Sequence, residues 1–443
     1  MRIAVVFSIA AIAAAADGPA VNGPIELSLK RAVEIAVAPE GSAKVQLAVE
    51  AQKQAESRSL QSRAALLPDV SAAFMEESLT RNLQALGLRL SSPIPGIQIP
   101  AFVGPFTTID ARFSGTQSVF DFASIRRYQA SKVGVRAAKS DVDGTEEQVA
   151  AQVARAYLAT IRADADVEAA NANVALSEAV QRQAENQKNA GTGTGIEITR
   201  AKVQLANDRQ RLLVAENNRR AAGLQLSRAM GLRLETELIL TDKLGYIPVD
   251  AVTLEAAKAE ALKDRPDYHA QQEREDTARL SANATKLERL PSVSAFGDYG
   301  SSGTGFTSSL PTRTVGVSVK IPIFDGGRRD ARRVESYSLY RAERVKTNDL
   351  KEQIELDVRL ALDSLHSAED QVKVAKEGLE LADNELTQAR RRNDAGVAIA
   401  VEVTDAQTRL ERARDNQTAA LYNYNLARID LAQAIGAVRR MVQ

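Results

Sequence analysis

The chain has 443 residues, with 57 Lys and Arg against 57 Asp and Glu, no Cys, no Trp and two His. A balanced charge argues against a nucleic-acid partner, which requires a cationic surface. The lack of cysteine excludes disulfides, thiolate metal ligands and cysteine nucleophiles, and two histidines are a poor basis for a zinc site or a Ser-His-Asp triad. We therefore expect no cofactor, no metal and no enzymatic activity.

The N-terminus has the composition of a secretory signal. Arg2 precedes a run from Ile3 to Ala16 in which every residue except Ser8 is small or apolar. A short cationic start, a short apolar stretch and a small-residue end are typical of a signal peptide. The run is shorter than the roughly 20 residues that a membrane-spanning helix needs. We predict a signal peptide over residues 1–16 and export of the rest of the chain.

The remaining sequence contains an internal repeat. Residues 196–199 (IEIT) align with residues 401–404 (VEVT) at an offset of 205, and the similarity continues downstream without a gap. Two further signatures recur in both halves, namely Leu-Pro at 67–68 and 290–291 and Phe-Asp at 120–121 and 324–325. Self-similarity over this length indicates two copies of one structural unit. The predicted regions are a first repeat over 17–232, an inter-repeat equatorial region over 233–265 and a second repeat over 266–443.

Each repeat contains a long helical hairpin. From Ile354 to Ala389, apolar residues recur at alternating spacings of four and three, and Ala occupies every seventh position. This heptad pattern predicts a coiled coil in which small residues allow two antiparallel helices to approach closely. Residues 326–393 contain no Pro, and as one helix they would extend about 100 Å. The hairpin turns are predicted near 191–195 and 394–400.

Four segments alternate between apolar and polar residues as strands do, near 67–76, 109–121, 291–300 and 312–324. In the last of them Val315, Val317 and Val319 alternate with polar residues or Gly, which fits a strand between lipid and water. All nine Phe outside the predicted signal lie within 74–122 or 296–324, as expected of an aromatic girdle at a membrane interface. Four strands cannot close a barrel, so the chain must supply one sector of a shared barrel.

With these features combined, the chain resembles the TolC-like outer-membrane efflux proteins. The most specific elements are Leu290-Pro291, the IPIFDGG segment over 321–327, and the Gly turn before the VEVTDA segment over 401–406. The resemblance implies an α+β membrane protein that forms a homotrimer. Four strands per chain would form a 12-stranded β-barrel in the outer membrane, and the long coiled-coil helices would form a coaxial α-helical barrel across the periplasm.

The resemblance also implies candidate functional residues. Glu402 and Asp405 match the carboxylates that narrow the closed pore of the family at its periplasmic tip. The family's clamp arginine is replaced by Ala398 and its tyrosine partner by Asn393, which leaves open which cation serves here. The alternatives are Arg200, Arg390, Arg391 and Arg392. The tips expected to contact a periplasmic adaptor are Gly191, Gly193, Gly195, Gly396 and Ala398. The strand–helix junctions are Phe120, Asp121, Phe324, Asp325 and Gly326.

The implied function is passive conduction in a tripartite efflux or type I secretion system. The implied partners are a periplasmic adaptor protein, an inner-membrane transporter and the outer-membrane lipid, and the pore would open when helices at the periplasmic tip splay apart. A periplasmic coiled-coil scaffold without a pore is the alternative that the heptads alone would allow, but it leaves the alternating strands unexplained. An exported enzyme is a second alternative, for which no nucleophile–base pair or cofactor loop is present.

Overall fold

The computed structural model describes residues 25–83, 85, 102–191, 193–249, 252–395, 397 and 400–442. The predicted signal peptide over 1–16 lies outside these residues. The chain divides into two compact units. The first, here called the hairpin unit, comprises Met1–Val45, Glu146–Ala257 and Val358–Gln443, and the second, the sheet unit, comprises Gln46–Thr145 and Lys258–Asp357.

The elements of the described part of the chain are, in order, β1 (Ile25–Leu27), α1 (Leu29–Val37), α2 (Ala43–Ala64), β2 (Asp69–Asn82), β3 (Phe102–Phe120), α3 (Phe122–Asn189), α4 (Gly195–Met230), β4 (Leu238–Leu240), α5 (Leu254–Asp264), α6 (Pro266–Leu287), β5 (Ser292–Gly303), β6 (Leu310–Lys320), α7 (Arg328–Asp394), α8 (Ala400–Ile435) and α9 (Val438–Val442). No described helix combines the length and apolarity that crossing a membrane would require.

The sheet unit contains an antiparallel sheet with the strand order β2-β3-β5-β6. Its register places Phe113 between Ala72 and Tyr299, whereas Arg112 lies between Ala73 and Gly300. Because neighbouring side chains on a strand point to opposite faces, Phe113 lies on the same face as Val315 and Val317, whereas Arg112 lies on the other face with Asp110 and Asp298. Within the described residues, β2 and β6 are each paired on one side only, so both outer edges of the sheet are open.

Strand lengths differ from those that the alternation predicts. β3 starts at Phe102 rather than near 109, because its antiparallel pairing with β2 continues past Ile109. β6 ends at Lys320 rather than near 324. The reason is Pro322, which has no N–H to donate to a ladder.

One face of this sheet exposes large apolar side chains. Val315 is 85% exposed, Val317 67% and Phe113 63%. The opposite face carries an ion-pair network in which Arg112 donates to Asp110 at 2.6 and 2.8 Å and to Asp298 at 2.9 Å. A contiguous exposed apolar face marks a surface that contacts protein or lipid.

The hairpin unit is organised by the predicted heptads. Ala382, Leu386 and Ala389 of α7 form a buried cluster with Ala406 and Leu410 of α8. Further predicted heptad positions are buried in the same two helices, namely Val358, Ala361, Leu365, Ala368, Val372, Ala420, Tyr424, Ala427, Leu431 and Ala434. The coiled-coil prediction is therefore confirmed, and alanine at every seventh position allows the close packing of α7 on α8.

Tyr157 joins the beginning of the described chain to α3. Its side chain is fully buried, and its hydroxyl lies 2.8 Å from both the Leu27 carbonyl and Asp242 Oδ2. The same Asp242 oxygen accepts from the Leu29 amide at 2.8 Å. Burial is the main reason that the pKa of Tyr157 is raised, so the hydroxyl stays protonated and donates at neutral pH.

Replacing Tyr157 with Phe removes this buried donor while preserving the ring. We expect the Y157F chain to lose about 1 kcal/mol of stability, because one buried hydrogen bond is lost. The measurement is the unfolding midpoint in detergent by circular dichroism. Y422F is the matched control, since the Tyr422 ring contacts Arg162 and its hydroxyl makes no hydrogen bond among the described residues. Equal midpoints for Y157F and the control would contradict the assignment.

Candidate functional site

Glu402 lies in the first turn of α8 and is paired. Arg392 Nη1, in the last turn of α7, lies 2.9 Å from Glu402 Oε1. A cation at a helix C-terminus and an anion at a helix N-terminus are both favoured by the helix dipoles, so each helix end supports its half of the pair. Of the four arginines that the sequence leaves open, Arg392 is the one that the structure places on this carboxylate.

Asp405 has a different environment from Glu402. It is exposed, and it makes no hydrogen bond or ion pair among the described residues. It lines a cavity of about 540 Å³ together with Arg200, Asn393 and Gln407. Gln407 is 8% exposed, and its Nε2 has no hydrogen-bond partner there. Arg200 comes from α4 and Asp405 from α8, so residues of both predicted hairpins line this cavity.

The first hairpin turn is closed by backbone hydrogen bonds. The amides of Gly191 and Gly193 donate to the carbonyls of Lys188 and Gln187 at 2.9 and 3.0 Å. Gly191 has a φ of 79°, a left-handed conformation that Gly adopts without strain. Gly195 opens α4, where the Thr194 amide donates to Glu197 at 2.7 Å. Gly396 and Ala398, the predicted residues of the second tip, lie outside the described residues.

Each of the two strand–helix junctions contains an aspartate that accepts hydrogen bonds from the helix that follows. Asp121 accepts from the Ala123 amide at 2.9 Å and so caps α3. Asp325 accepts from Arg329 Nε at 2.8 Å, and its carbonyl faces the start of α7. Phe120 packs edge-to-face on Phe122, with ring centroids 4.5 Å apart. Phe324, in contrast, is 87% exposed.

Gly326 and its neighbour Gly327 have φ values of 68° and 86°. These left-handed conformations turn the chain between Phe324 and α7, and other residues would be strained there. Of the five predicted junction residues, Phe120 ends β3, whereas Asp121, Phe324, Asp325 and Gly326 lie between a strand and a long helix.

Neither the periodicity of the sequence nor the family resemblance predicted the ion pair that links the two hairpins. Arg211 Nη1 on α4 lies 3.2 Å from Glu411 Oε2 on α8 and 3.5 Å from Asp208 Oδ1. Asp208 is 1% exposed and also accepts from Gln204 at 3.1 Å. Other contacts join α3 to α8, including Arg155 with Asp430 at 2.6 Å and Arg162 over the Tyr422 ring at 4.9 Å. Along α8, Arg211 makes the contact nearest to the tip among these three.

Around the pair of Arg211 and Glu411, carboxylate groups outnumber cationic groups. Burial is the main reason that the pKa of Glu411 is raised, and repulsion from Asp208 adds to it while Arg211 opposes it. Burial also raises the pKa of Asp415 on α8 and of Asp166 on α3, with Arg162 opposing both. The guanidinium of Arg211 therefore offsets repulsion between acids that belong to different hairpins.

A comparison of the two predicted repeats could have revealed these charges. At the offset of 205, Asp208 aligns with Ala413, Arg211 with Asn416, and Glu411 with Ala206. The two copies thus differ in charge at all three positions. A charge present in one copy and absent from the other marks a position where the hairpins have different neighbours.

Comparisons with known proteins match most of the chain. Residues 258–437 match the family described as "Outer membrane efflux protein". The chain is 21% identical over 316 residues to the alkaline protease secretion protein AprF of Pseudomonas aeruginosa. This match covers 70% of the chain and 65% of AprF. It is 23% identical over 340 residues to the outer membrane protein TolC of Vibrio cholerae, which covers 74% of this chain and 77% of TolC.

The fold is also that of a solved channel. The Campylobacter jejuni CmeC outer membrane channel superimposes with a TM-score of 0.80 at 16% identity, over 92% of this chain and 85% of that chain. These findings confirm the resemblance to the TolC-like outer-membrane efflux proteins and the expected location in the outer membrane extending into the periplasm. Of the expected fold, they confirm the helix-rich, TolC-like fold of the single chain.

Arg211 is tested by replacement with Gln. We expect R211Q to lower amide protection factors in residues 195–207 and 400–410 by about fivefold, because loss of an ion pair costs up to about 1 kcal/mol. Hydrogen exchange with mass spectrometry gives the measurement. The matched control is R209Q, since Arg209 pairs with Glu178 of the same hairpin at 2.9 Å. Equal loosening in R209Q would contradict a role specific to the contact between hairpins.

The effect of R211Q should depend on pH. A carboxyl group whose folded-state pKa is raised opposes folding above that pKa, and this cost disappears as the pH falls through it. Glu411 is such a group, and loss of Arg211 leaves it facing Asp208 and Asp415 without their shared cation. We expect the loss of protection in R211Q to be larger at pH 7.5 than at pH 5.5. A loss independent of pH would show that carboxylate repulsion is not the cause.

Proposed function

We propose that this TolC-like chain is one subunit of a homotrimeric outer-membrane channel. The channel passively conducts substrates from a pump–adaptor complex across the periplasm and the outer membrane, and the protein performs no chemistry. The observation that carries the proposal is the sheet of β2, β3, β5 and β6, which has two open edges and one exposed apolar face. Backbone groups cannot remain unpaired in lipid, so these edges require partners.

Three copies satisfy this requirement. Pairing of β2 of one copy with β6 of the next would close a 12-stranded barrel and leave no edge. The apolar face, with Val315 85% exposed, would then contact lipid. The face with Asp110, Arg112 and Asp298 would line a wet lumen, as in other membrane barrels with polar interiors.

The hairpins supply the periplasmic part of the proposal. α3 and α7 have 68 and 67 residues, and each is followed by a helix of 36 residues. This similarity supports an internal two-fold repeat, with two helical hairpins per chain and twelve helices in a trimer. Their turns, which include Gly191 and Gly193, are the proposed contacts for a periplasmic adaptor protein. An inner-membrane transporter would act through that adaptor.

The proposed constriction is formed by Glu402 and Asp405 near these turns. The pair between Arg392 and Glu402 joins α7 to α8, and Arg211 joins α4 to α8 beyond it. Opening would require the second hairpin to move away from the first and to enlarge the space that Asp405 and Arg200 line. Such a movement exchanges one packed arrangement for another, as in other gated assemblies.

The names of the relatives support the proposed type of export system. AprF is named for secretion of an alkaline protease, and CmeC is described as an outer membrane channel. We propose a tripartite efflux or type I secretion system for this chain. A periplasmic coiled-coil scaffold without a pore is the alternative, and the exposed apolar face of the sheet argues against it because a water-soluble protein would have to cover that face.

The proposed trimer is tested by cysteine cross-linking, since the chain has no native cysteine. S71C on β2 is combined with cysteines at Val317, Ser318 or Val319 on β6, because the register between copies has to be sampled. Oxidation should give a ladder that ends at three chains. S71C alone is the control and should not form the ladder. A soluble monomer that needs no detergent would favour the scaffold.

The proposed constriction is tested by single-channel recording in planar bilayers. We expect E402Q/D405N to raise the conductance severalfold, because the carboxylates that narrow the tip lose their charge. R392Q should raise it less, since it breaks the pair that joins α7 to α8 but leaves both carboxylates charged. R390Q is the matched control, because Arg390 lies in the same helical turn and makes no ion pair in the described part of the chain. Discrete conductance that no variant changes would retain the channel and reject this constriction.

A further inference from the structure

The segment between β6 and α7 exposes apolar side chains at the helix end of the sheet. Ile321 is 61% exposed, Ile323 93% and Phe324 87%. β6 ends at Lys320, and α7 begins at Arg328. At the other junction, by contrast, Phe120 is covered in part by Phe122. Burying the exposed aliphatic and aromatic groups away from water would be favourable.

Arginines crowd the start of α7 beside this segment. Residues 320–333 contain five cations and two anions, which gives a net charge of +3. Arg329 is held by Asp325 at 2.8 Å and Arg332 by Glu288 at 3.0 Å. Arg328 and Arg333 are exposed and make no side-chain hydrogen bond or ion pair among the described residues. Cations are unfavourable near a helix N-terminus, so an external anion would stabilise this arrangement.

We propose that this surface, formed by Ile323, Phe324, Arg328 and Arg333, binds anionic phospholipid headgroups of the leaflet that surrounds the helix end of the barrel. The inference rests on the proposed function, because it requires the sheet to span the outer membrane. Ile323 and Phe324 would enter the boundary between headgroups and acyl chains. Arg328 and Arg333 would extend toward the phosphates, as long cationic side chains do at membrane interfaces.

Charge argues against a second copy of the chain as the main occupant. In a barrel closed by β2 and β6, the neighbouring copy would bring the start of its β2 to this end of the sheet. The charged residues there are Asp69 at the start of β2 and Arg63 in the last turn of α2. One anion and one cation do not offset a net charge of +3. A leaflet that contains anionic phospholipid supplies many phosphates, and its complementarity is greater.

The experiment uses the chain's lack of tryptophan. F324W places a single fluorophore in the proposed surface of the full-length protein in vesicles. Quenching by brominated phosphatidylglycerol is compared with quenching by brominated phosphatidylcholine. We expect both lipids to quench Trp fluorescence, with a preference for phosphatidylglycerol at low salt of up to about fivefold for each of the two arginines, as favourable contact with anionic lipid implies. The preference should disappear in F324W/R328Q/R333Q.

Two controls separate this inference from the proposed function. F324W/R390Q/R391Q removes the same charge from the far end of α7 and should keep the preference. F113W places the fluorophore on the apolar face of the sheet, where both lipids should quench equally. No quenching of F113W would overturn the membrane-spanning sheet itself. Quenching of F113W without quenching of F324W would mean that a neighbouring copy covers the surface, and equal quenching of F324W by both lipids would show that the arginines do not select headgroups.

Discussion

A backbone N–H or C=O group that enters hydrocarbon must have a hydrogen-bond partner within the protein. The sheet of β2, β3, β5 and β6 satisfies this condition internally and leaves its two outer edges open. One exposed apolar face makes the same sheet unsuited to water. Membrane insertion of this sheet is therefore possible only together with assembly with other copies. The proposed barrel would pair the open edges and place the apolar face against lipid.

The helical part follows a different constraint. A hairpin of two long helices must pack closely along its whole length, and alanine at every seventh position, as at Ala382 and Ala389, permits this. Contacts between hairpins include charged pairs, such as Arg155 with Asp430 and Arg211 with Glu411. Small residues thus permit close packing within each hairpin, and charged pairs link one hairpin to the other.

Periodicity predicted the elements of the fold well, because a repeat of two or seven residues reports directly which face of an element is buried. It did not predict that β3 starts at Phe102, since pairing with β2 rather than local alternation decides that boundary. The family resemblance predicted Glu402 as a candidate and left four arginines open, and only the structure places Arg392 on this carboxylate. A partner on another helix depends on side-chain geometry, which spacing along the chain does not contain.

The pair between Arg211 and Glu411 was invisible to the sequence for a related reason. These residues are 200 positions apart, not the 205 that relates the repeats. Alignment of the two copies therefore never brings them opposite each other. The only sequence signal for this contact is the difference in charge between aligned positions, such as Asp208 and Ala413.

The position of Arg211 also sets a mechanical scale. From Glu411 back to Ala400, the N-terminal part of α8 would extend about 17 Å, and in this part Asp405 and Gln407 line the cavity described above. If α8 tilted about the contact between Arg211 and Glu411, this part would move as a short rod. A tilt of about 20° would carry its end only about 6 Å. A wide opening of the pore would therefore require the pair between Arg211 and Glu411 to break, whereas a narrow opening would leave this pair intact.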